Sequence, residues 1–163
     1  MAQFDTDLLA LVPRLRRFAR ALSRDAADAD DLVQASLEKA LRSRDQWQLG
    51  TRMDSWMYRI MRNAWIDTAR ARARTRATFV AEEAGLGVAD DSEQRLAARI
   101  ELNDVSRAMA ALPDDQREAV ALVLVEGLAY KEAAAILDIP MGTLTSRLVR
   151  GRQALMAKLG EAA

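Results

Sequence analysis

The sequence predicts an all-α protein made of two small helical domains joined by a flexible acidic linker. Apolar residues recur at helical spacing along most of the chain, and only three prolines interrupt them. Residues 77–94 break this pattern with two glycines and five acidic residues. We therefore expect a first domain at residues 1–76, a linker at 77–94 and a second domain at 95–163.

The composition points away from catalysis. Half of the 163 residues are hydrophobic and 29% are charged, which suits a globular chain rather than a disordered one. The chain has no Cys and no His, which excludes disulfides, Cys/His zinc sites and nucleophiles that depend on either residue. No glycine-rich phosphate loop is present. We therefore do not expect an enzyme, a cofactor or a metal ion.

The sequence predicts a cytoplasmic protein without membrane insertion. It contains no run of about 18 apolar residues, the length needed to span a bilayer. The N-terminal stretch places acidic residues before its apolar run and basic residues after it. This order is the reverse of that in a secretory signal.

The net charge of zero conceals a strong segregation of charge along the chain. Residues 52–76 carry seven arginines against two aspartates, and residues 127–163 carry five bases against three acids. Between them, residues 77–126 carry four arginines against eleven acids. Two basic segments separated by an acidic one indicate two contacts with nucleic acid.

Two amphipathic helices are predicted at the start of the first domain, over Asp5–Leu22 and Ala26–Arg44. Pro13 must lie near the start of the first helix or kink it. Asp25 is a predicted N-cap of the second helix. Acidic residues in the first turns of that helix complement its dipole, and on the residues alone we favour this role over a docking face for a basic partner.

An arginine-rich helix, predicted from Met53 to about Arg76, is the most regular element. Its arginines lack glutamate partners at i±4, which is unusual for a face that is merely solvated, so we favour nucleic acid as their partner. The preceding loop contains two apolar residues, Trp47 and Leu49, among polar and charged ones. These two side chains either fold back onto the core or stack on single-stranded bases.

The second domain is predicted to contain a buried helix followed by a helix-turn-helix motif. Asp114 or Asp115 is expected to cap the buried helix Gln116–Glu126, which is apolar nearly all round and should be central. Gly127 ends it. From Tyr130 to Lys158 a short helix, a tight turn and a longer basic helix follow. An ordinary helical hairpin is the alternative explanation of this spacing.

Four motifs in the right order resemble those of extracytoplasmic-function sigma factors, the two-domain initiation factors of bacterial transcription. They are DDLVQ at 30–34, SWMYRIMRN at 55–63 with Asp67, ALPDDQREA at 111–119, and GTL at 142–144 with SRL at 146–148. The resemblance covers nearly the whole chain. It implies that the first domain is sigma region 2 and that the second is sigma region 4.

The resemblance implies three partners: core RNA polymerase, promoter DNA and an anti-sigma factor that inhibits. On the polymerase, the expected contacts are the clamp helices of the largest subunit and the flap region. The resemblance therefore favours the interpretation of the second helix as a docking surface for the polymerase. Its candidate polymerase-binding residues are Asp30, Asp31, Leu32, Gln34 and Glu38.

The resemblance also implies a bipartite contact with promoter DNA. The loop and the arginine-rich helix would bind the melted −10 element, with a base taken out of the stack and arginines on the backbone. The candidates are Trp47, Gln48, Arg52, Arg59, Arg62, Asn63, Ile66 and Arg70. Asn63 and Asp67 are equally well explained as a structural hydrogen-bonded pair at i, i+4.

The helix-turn-helix would read the duplex −35 element from the major groove. The candidates for base edges are Thr143, Thr145, Ser146, Val149 and Arg150. The candidates for phosphates are Tyr130, Lys131, Arg147 and Arg152. Alternatively, Arg147 forms an ion pair with an acid in its own domain instead of contacting a phosphate.

Four residues depart from the family pattern. Met53 replaces a common Phe, and Ala129 stands where Ser or Thr usually caps the next helix, at a cost of about 0.5–2 kcal/mol. Asp138 replaces a turn Gly but tolerates a left-handed conformation. Thr145 replaces a Lys or Arg, which removes a cation from the predicted DNA face.

Two other functions compete with promoter recognition. One is a sigma-like decoy domain that binds an anti-sigma factor instead of DNA, which would not need the arginine row. The other is a stand-alone helix-turn-helix repressor, which would leave the first 76 residues without a role.

Overall fold

The computed structural model describes residues 2–23, 25–48, 50–78 and 104–162, and every regular element in these ranges is a helix. The first half contains α1 (Ala2–Leu22), α2 (Ala26–Arg42) and α3 (Met53–Thr78), with a 3-10 turn at Arg44–Gln46. The second half contains α4 (Asp114–Val120), α5 (Tyr130–Leu137) and α6 (Met141–Ala162), preceded by a helical segment at residues 104–110. The all-α prediction is confirmed. The predicted linker, apart from the last two residues of α3, and the predicted start of the second domain lie outside the described residues.

Helices α1, α2 and α3 pack on one another because each buries an apolar stripe. In α1 the stripe includes Leu15, Phe18 and Leu22, which are fully buried. The Phe18 ring meets the ring of Tyr58 on α3 edge to face, with centroids 4.9 Å apart. Asp25 caps α2 as predicted, since its side chain accepts a 2.8 Å hydrogen bond from the backbone N–H of Asp28.

The predicted ends of the first helices shift by a few residues. Helix α1 begins three residues earlier than predicted and contains Pro13 in its interior. Helix α2 ends two residues earlier than predicted. The backbone N–H of the next residue, Ser43, donates hydrogen bonds to the carbonyls of Lys39 and Ala40.

The predicted cap of the buried helix is wrong. Neither Asp114 nor Asp115 caps α4: Pro113 occupies the N-cap position without a side-chain bond, and both aspartates lie in the first turn. The helix is central as predicted, with Ala119 and Val120 at most 1% exposed, but the apolar run is not buried to its end. It continues as a π-helical turn at Ala121–Val125, whose extra residue rotates Leu124 to 49% exposure.

The helix-turn-helix prediction agrees with the described backbone from α5 to α6. Asp138 ends α5 in the left-handed region, with φ 57° and ψ 50°, as its replacement of a turn glycine requires. Gly127, with φ 74°, ends the preceding helix. Ala129 provides no side-chain cap for α5, but the Glu132 carboxylate accepts a 3.4 Å hydrogen bond from its backbone N–H.

The two halves pack against each other, with α1 and α3 on one side and α4, the π-helical turn and α5 on the other. Buried apolar residues from both halves belong to one continuous cluster. Nothing in the local periodicity of the sequence predicts this arrangement. Among the described helices, none combines the length and apolar character needed to cross a bilayer.

Candidate nucleic-acid and polymerase interfaces

The arginines predicted to hold the −10 element lie along one face of α3, and the second half of the chain covers part of that face. Arg52 pairs with Glu132 at the start of α5. Arg59 donates a 2.8 Å hydrogen bond from Nη2 to the backbone carbonyl of Ala135. Further along the helix, Arg62 pairs with a carboxylate of α4.

This last pair joins Arg62 to Glu118, with Nε and Oε2 3.2 Å apart. The Glu118 side chain is only 9% exposed. Burial raises the pKa of the Glu118 carboxyl, and the hydrogen bond from Arg62 opposes that shift. Glu118 is therefore a desolvated acid whose only charged hydrogen-bond donor among the described residues belongs to the predicted −10 face.

Asp54, in the first turn of α3, anchors the start of this face from within the first half of the chain. Its carboxylate accepts 2.7 Å and 2.9 Å hydrogen bonds from Arg52 and Arg14, and a 2.7 Å bond from the backbone N–H of Ser55. Burial by itself would raise the pKa of the Asp54 carboxyl, but these hydrogen bonds bring it below its usual value. Arg52, the residue before α3, is thus held between Asp54 in the first turn of α3 and Glu132 of α5.

The loop before α3 places its tryptophan on the core rather than in solvent. Trp47 is half-buried, and its ring meets Phe4 of α1 edge to face at a centroid distance of 5.7 Å. Its indole N–H is buried and lacks a hydrogen-bond partner among the described residues. The geometry favours the first of the two interpretations of Trp47, while the neighbouring Gln48 is exposed. Leu49 lies outside the described residues.

The remaining candidates on α3 differ in their environment. Asn63 and Arg70 are exposed, whereas Ile66 is half-buried and lines a cavity of about 290 Å³ between α3 and α4. In the described part of the chain no hydrogen bond joins Asn63 to Asp67, and both side chains are exposed. The structural pairing considered for these two residues is therefore absent.

The candidate polymerase surface on α2 is mostly free. Asp30, Asp31, Gln34 and Glu38 are exposed, whereas Leu32 is 4% exposed and belongs to the core. The sequence pattern could not separate Leu32 from its neighbours, because a helical stripe borders both core and surface.

Asp28 has a structural role beside this surface. Its carboxylate accepts a 2.6 Å hydrogen bond from Nη1 of Arg72 on α3. That bond holds the pKa of the Asp28 carboxyl below its ordinary value. Asp28 therefore ties α2 to the C-terminal half of α3.

The predicted −35 surface is open. On α6, Thr145, Val149, Arg150 and Arg152 are exposed, while Thr143 and Ser146 are half-buried. At the start of α5, the side chains predicted to hold phosphates are also exposed; they are Tyr130 and Lys131. The Thr145 hydroxyl donates a 2.9 Å hydrogen bond to the carbonyl of Met141.

Arg147 differs from the other phosphate candidates. Its Nε lies 3.6 Å from Oδ2 of Asp115, which fits the alternative of an acid partner in its own half of the chain. The pair is partly exposed, and such pairs contribute little to stability.

Sequence reasoning missed Glu126. Its carboxylate is completely buried and accepts hydrogen bonds of 2.8 Å and 2.9 Å from the Arg17 guanidinium. The Tyr58 hydroxyl donates a further 2.6 Å bond to it. Burial and this neighbouring carboxylate raise the pKa of the Tyr58 hydroxyl. The only sequence signal was a lone acid at the end of an apolar run, which is equally typical of an exposed helix end.

Comparison with known proteins decides the family. Two family models match: "Sigma2 domain of PhyR" over residues 8–62 and "Sigma-70, region 4" over residues 102–155. The chain is 40% identical over 155 residues to the RNA polymerase sigma factor EcfG of Rhodopseudomonas palustris, covering 94% of this chain and 83% of that one. The chain belongs to the extracytoplasmic-function sigma factors of bacterial RNA polymerase. The resemblance stated from the four motifs is confirmed.

Two further comparisons extend this assignment. This sigma factor is 36% identical over 149 residues to SigE of Mycolicibacterium smegmatis, covering 87% of this chain and 56% of that protein. Its fold matches the sigma factor RpoE of Bartonella quintana, solved in complex with the anti-sigma factor NepR, with a TM-score of 0.84. That match is 32% identical in sequence and covers 98% of both chains.

Proposed function

We propose that this sigma factor directs core RNA polymerase to promoters by contacting two DNA elements with its two halves. The first half would bind the melted −10 element, and the second half would bind the duplex −35 element. The observation that carries the proposal is the row of arginines on one face of α3. Their spacing of about two helical turns from Arg52 to Arg59, and again from Arg62 to Arg70, suits the phosphates of a strand lying along the helix.

The −35 assignment is supported by the exposure of α6 directly after the turn. Thr145, Val149 and Arg150 present a hydroxyl, an apolar surface and a cation, which are the groups that contact base edges in the major groove. With a threonine at position 145, this surface has one cation fewer than the family pattern, and we infer that its own affinity for DNA is low.

The polymerase assignment is supported by the exposed polar surface of α2, formed by Asp30, Asp31, Gln34 and Glu38. We infer that this surface docks on the clamp helices of the largest subunit and that the second half of the chain contacts the flap region. Acting with polymerase, the protein would work in the cytoplasm, and the catalytic chemistry would belong to the polymerase.

We also infer that an anti-sigma factor regulates this chain. The inference rests on the fold match to a sigma factor that was solved with an anti-sigma factor bound. Because the chain has no Cys or His, a thiol or zinc sensor would have to belong to that partner.

One observation favours a second candidate function. The family model that matches residues 8–62 describes a domain of another protein, PhyR, and not of a named sigma factor. A sigma-like decoy that binds only an anti-sigma factor would keep the fold and dispense with DNA binding.

Run-off transcription with core polymerase tests the proposal. We expect the chain to produce promoter-dependent transcripts from a library of genomic DNA fragments. The double substitution Arg59→Ala and Arg62→Ala should reduce them at least about tenfold, since each lost phosphate contact weakens binding. The matched control is Arg16→Ala with Arg20→Ala, which removes two exposed arginines from α1 and should leave transcription intact. The absence of any promoter-dependent transcript, together with binding to an anti-sigma factor, would favour the decoy.

A further inference from the structure

We propose that α6 recognises the C5-methyl groups of pyrimidines in the major groove, and that Thr145 and Val149 make these contacts. Thymine and 5-methylcytosine carry this group, whereas cytosine and uracil lack it. The proposal rests on the proposed assignment of α6 to duplex DNA. It goes further by naming the chemical group through which that helix selects a −35 sequence and responds to cytosine methylation.

Three exposed side chains form an apolar stripe on the first turns of α6: Met141, Thr145 and Val149. Their spacing of four residues places them on one face of the helix. Met141 is 48% exposed and Val149 is 49% exposed, and Thr145 between them is also exposed. Leu144 and Leu148, by contrast, are at most 4% exposed and belong to the core. The stripe therefore lies outside the core, with its apolar surface open to a partner.

The Thr145 hydroxyl is already engaged within the helix. It donates a 2.9 Å hydrogen bond to the backbone carbonyl of Met141, four residues earlier. A hydroxyl has one proton to donate, so this oxygen can act towards a base only as an acceptor. Threonine also lacks the pair of donors with which arginine reads guanine. Thr145 therefore offers DNA its γ-methyl group and an acceptor.

The charges around the stripe indicate an anionic partner. Helix α6 contains no acid before Glu161, and Arg150 and Arg152 are exposed next to Val149 in the sequence. In the described part of the chain neither arginine forms an ion pair, so both can contact phosphates. An apolar protein surface would not need these cations. Among the groups that base pairs present in the major groove, the thymine methyl is the apolar one.

Recognition of a methyl group has an effect of predictable size. Transferring one such group from water to an apolar contact strengthens binding about fourfold near room temperature. Replacing a contacted thymine by uracil removes only that methyl and should weaken binding by this factor. Adding a methyl at C5 of a cytosine in the same place should strengthen binding to a similar extent.

The first experiment measures these factors with the full-length chain. A duplex pool with a random central segment is enriched for binding at low ionic strength, where phosphate contacts are strongest. The selected duplex is then remade with deoxyuridine in place of each thymidine in turn, and affinities are measured by fluorescence anisotropy. We expect about fourfold weaker binding at one or more positions. A selected duplex that tolerates deoxyuridine at every position, or a pool in which no sequence is enriched, would overturn the proposal.

A matched pair of substitutions separates the methyl group of Thr145 from its hydroxyl. Thr145→Val keeps a methyl group and removes the hydroxyl, so it should retain the loss of affinity that deoxyuridine causes. Thr145→Ser keeps the hydroxyl and removes the methyl group, so it should abolish that loss at one position. The reverse result, with the loss kept by Thr145→Ser and abolished by Thr145→Val, would show that the hydroxyl reads the base and would overturn the proposal.

Val149→Ala extends the test to the second contact. Its shorter side chain should abolish the loss at a different position of the duplex. Leu9→Ala is the control, since it truncates a side chain that is 69% exposed on α1 and should leave every ratio unchanged. Each ratio compares two duplexes on the same variant, so a variant that folds poorly weakens binding to both and leaves the ratio intact. Unchanged ratios in Thr145→Ser and Val149→Ala would overturn the assigned roles.

A further pair of duplexes tests the response to cytosine methylation. A C·G pair replaces the T·A pair that is most sensitive to deoxyuridine, with and without a methyl group at C5 of the cytosine. We expect the methylated duplex to bind about fourfold more tightly. The substitution that abolished the effect of deoxyuridine at that position should abolish this difference as well. Equal binding of the two duplexes would overturn the proposed response to methylation.

Transcription distinguishes a failure of this proposal from a failure of the proposed function. If the chain starts promoter-dependent transcription with core polymerase but deoxyuridine has no effect on duplex binding, methyl recognition is wrong and the proposed function stands. If deoxyuridine weakens binding as expected but no promoter-dependent transcript appears, α6 reads methyl groups in another role, such as repression, and the proposed function has failed.

Discussion

At the scale of single residues, Arg117 shows how a charged side chain can be a structural element. It is 1% exposed, and its guanidinium donates to the carbonyls of Met109 and Leu112 at 3.0 Å and 2.6 Å. These bonds supply donors to the end of the helical segment 104–110, whose last carbonyls have no partners within the helix. A further 3.4 Å bond reaches the carbonyl of Leu22 in α1.

We predict that Arg117→Met destabilises the protein by about 3 kcal/mol, because several buried carbonyls lose their donor. The free energy of unfolding would be measured by urea titration followed by circular dichroism. The control is Arg107→Met on the neighbouring segment, where the arginine side chain is 80% exposed and should contribute little. Equal effects of the two substitutions would contradict the assigned role.

Gly151 is the second residue whose identity the packing requires. A Cβ at this position of α6 would lie 2.8 Å from Cγ2 of Val120 and 3.3 Å from the backbone carbonyl oxygen of Gln116, both on α4. We predict that Gly151→Ala lowers the free energy of unfolding by about 1–3 kcal/mol, because overpacking forces α4 and α6 apart.

Gly160→Ala provides the comparison in the same helix. No atom lies within 4 Å of a Cβ at that position, so alanine should raise stability slightly through its helix propensity. If Gly151→Ala also raised the urea midpoint, the close approach of the helices would be disproved.

The residues that the sequence predicted correctly are those with a local cause. Asp25 caps α2 and Asp138 adopts a left-handed conformation because each depends only on its neighbours in the chain. Glu126 and Arg117 were not assigned their structural roles, because their partners lie on distant segments. Periodicity reports which face of a helix is apolar and carries no information on which distant donor meets a buried acid.

At the scale of helices, α2 and α3 are joined by both apolar packing and the Asp28–Arg72 pair. The hydrogen bond from Arg72 holds the pKa of the Asp28 carboxyl below the ordinary value of 3.8. A carboxyl with a depressed folded-state pKa stabilises the fold above its unfolded pKa. This contribution is lost as the pH falls through the folded-state value.

We therefore predict that Asp28→Asn flattens the acid dependence of stability. The urea midpoint of the unchanged chain should fall more steeply between about pH 5 and about pH 3 than that of the variant. Asp45→Asn, at an exposed position in the 3-10 turn, is the control and should keep the steeper dependence. Parallel curves for Asp28→Asn and the unchanged chain would contradict the prediction.

The helices themselves were predictable to within a few residues, whereas the π-helical turn was not. The sequence at Ala121–Val125 is a continuous apolar run, and such a run is compatible with either an α-helical or a π-helical path. The extra residue changes the hydrogen bonding of the backbone. The N–H of Glu126, the residue after the turn, bonds to the carbonyl of Ala121, five residues earlier, at 2.9 Å. The turn thus precedes the buried acid that contacts α1 and α3.

At the scale of the whole molecule, the contact between the halves should make unfolding cooperative. All three tryptophans, Trp47, Trp56 and Trp65, belong to the first half, so their fluorescence mainly follows that half, although Trp65 also lines the cavity shared with α4. Circular dichroism follows the helices of both halves. We predict coincident urea transitions by the two probes in the unchanged chain, since contact between halves couples their unfolding.

In a variant with Glu118→Gln, Glu126→Gln and Glu132→Gln, which removes three carboxylates that bond to the first half, the two transitions should separate. The control variant with Asp7, Asp115 and Asp138 neutralised should keep a single transition. Separate transitions in the unchanged chain would show that the interface contributes too little to couple the halves.

The packing of the second half on α1 and α3 also limits how far apart two DNA sites bound by the chain can be. Elements centred at −10 and −35 are about 85 Å apart along B-form DNA, at about 3.4 Å per base pair. A compact chain of this length has a radius of gyration of about 15 Å and is therefore about 40 Å across. If the two halves bind these elements as proposed, a chain packed in this way can contact only one of them at a time. Twenty-five residues, the number between Thr78 and Asp104, span at most about 85 Å when fully extended, so a chain with separated halves would have the reach for both elements. Under the proposed function, the distance between the two elements would then be a property by which this sigma factor selects promoters, in addition to their sequence.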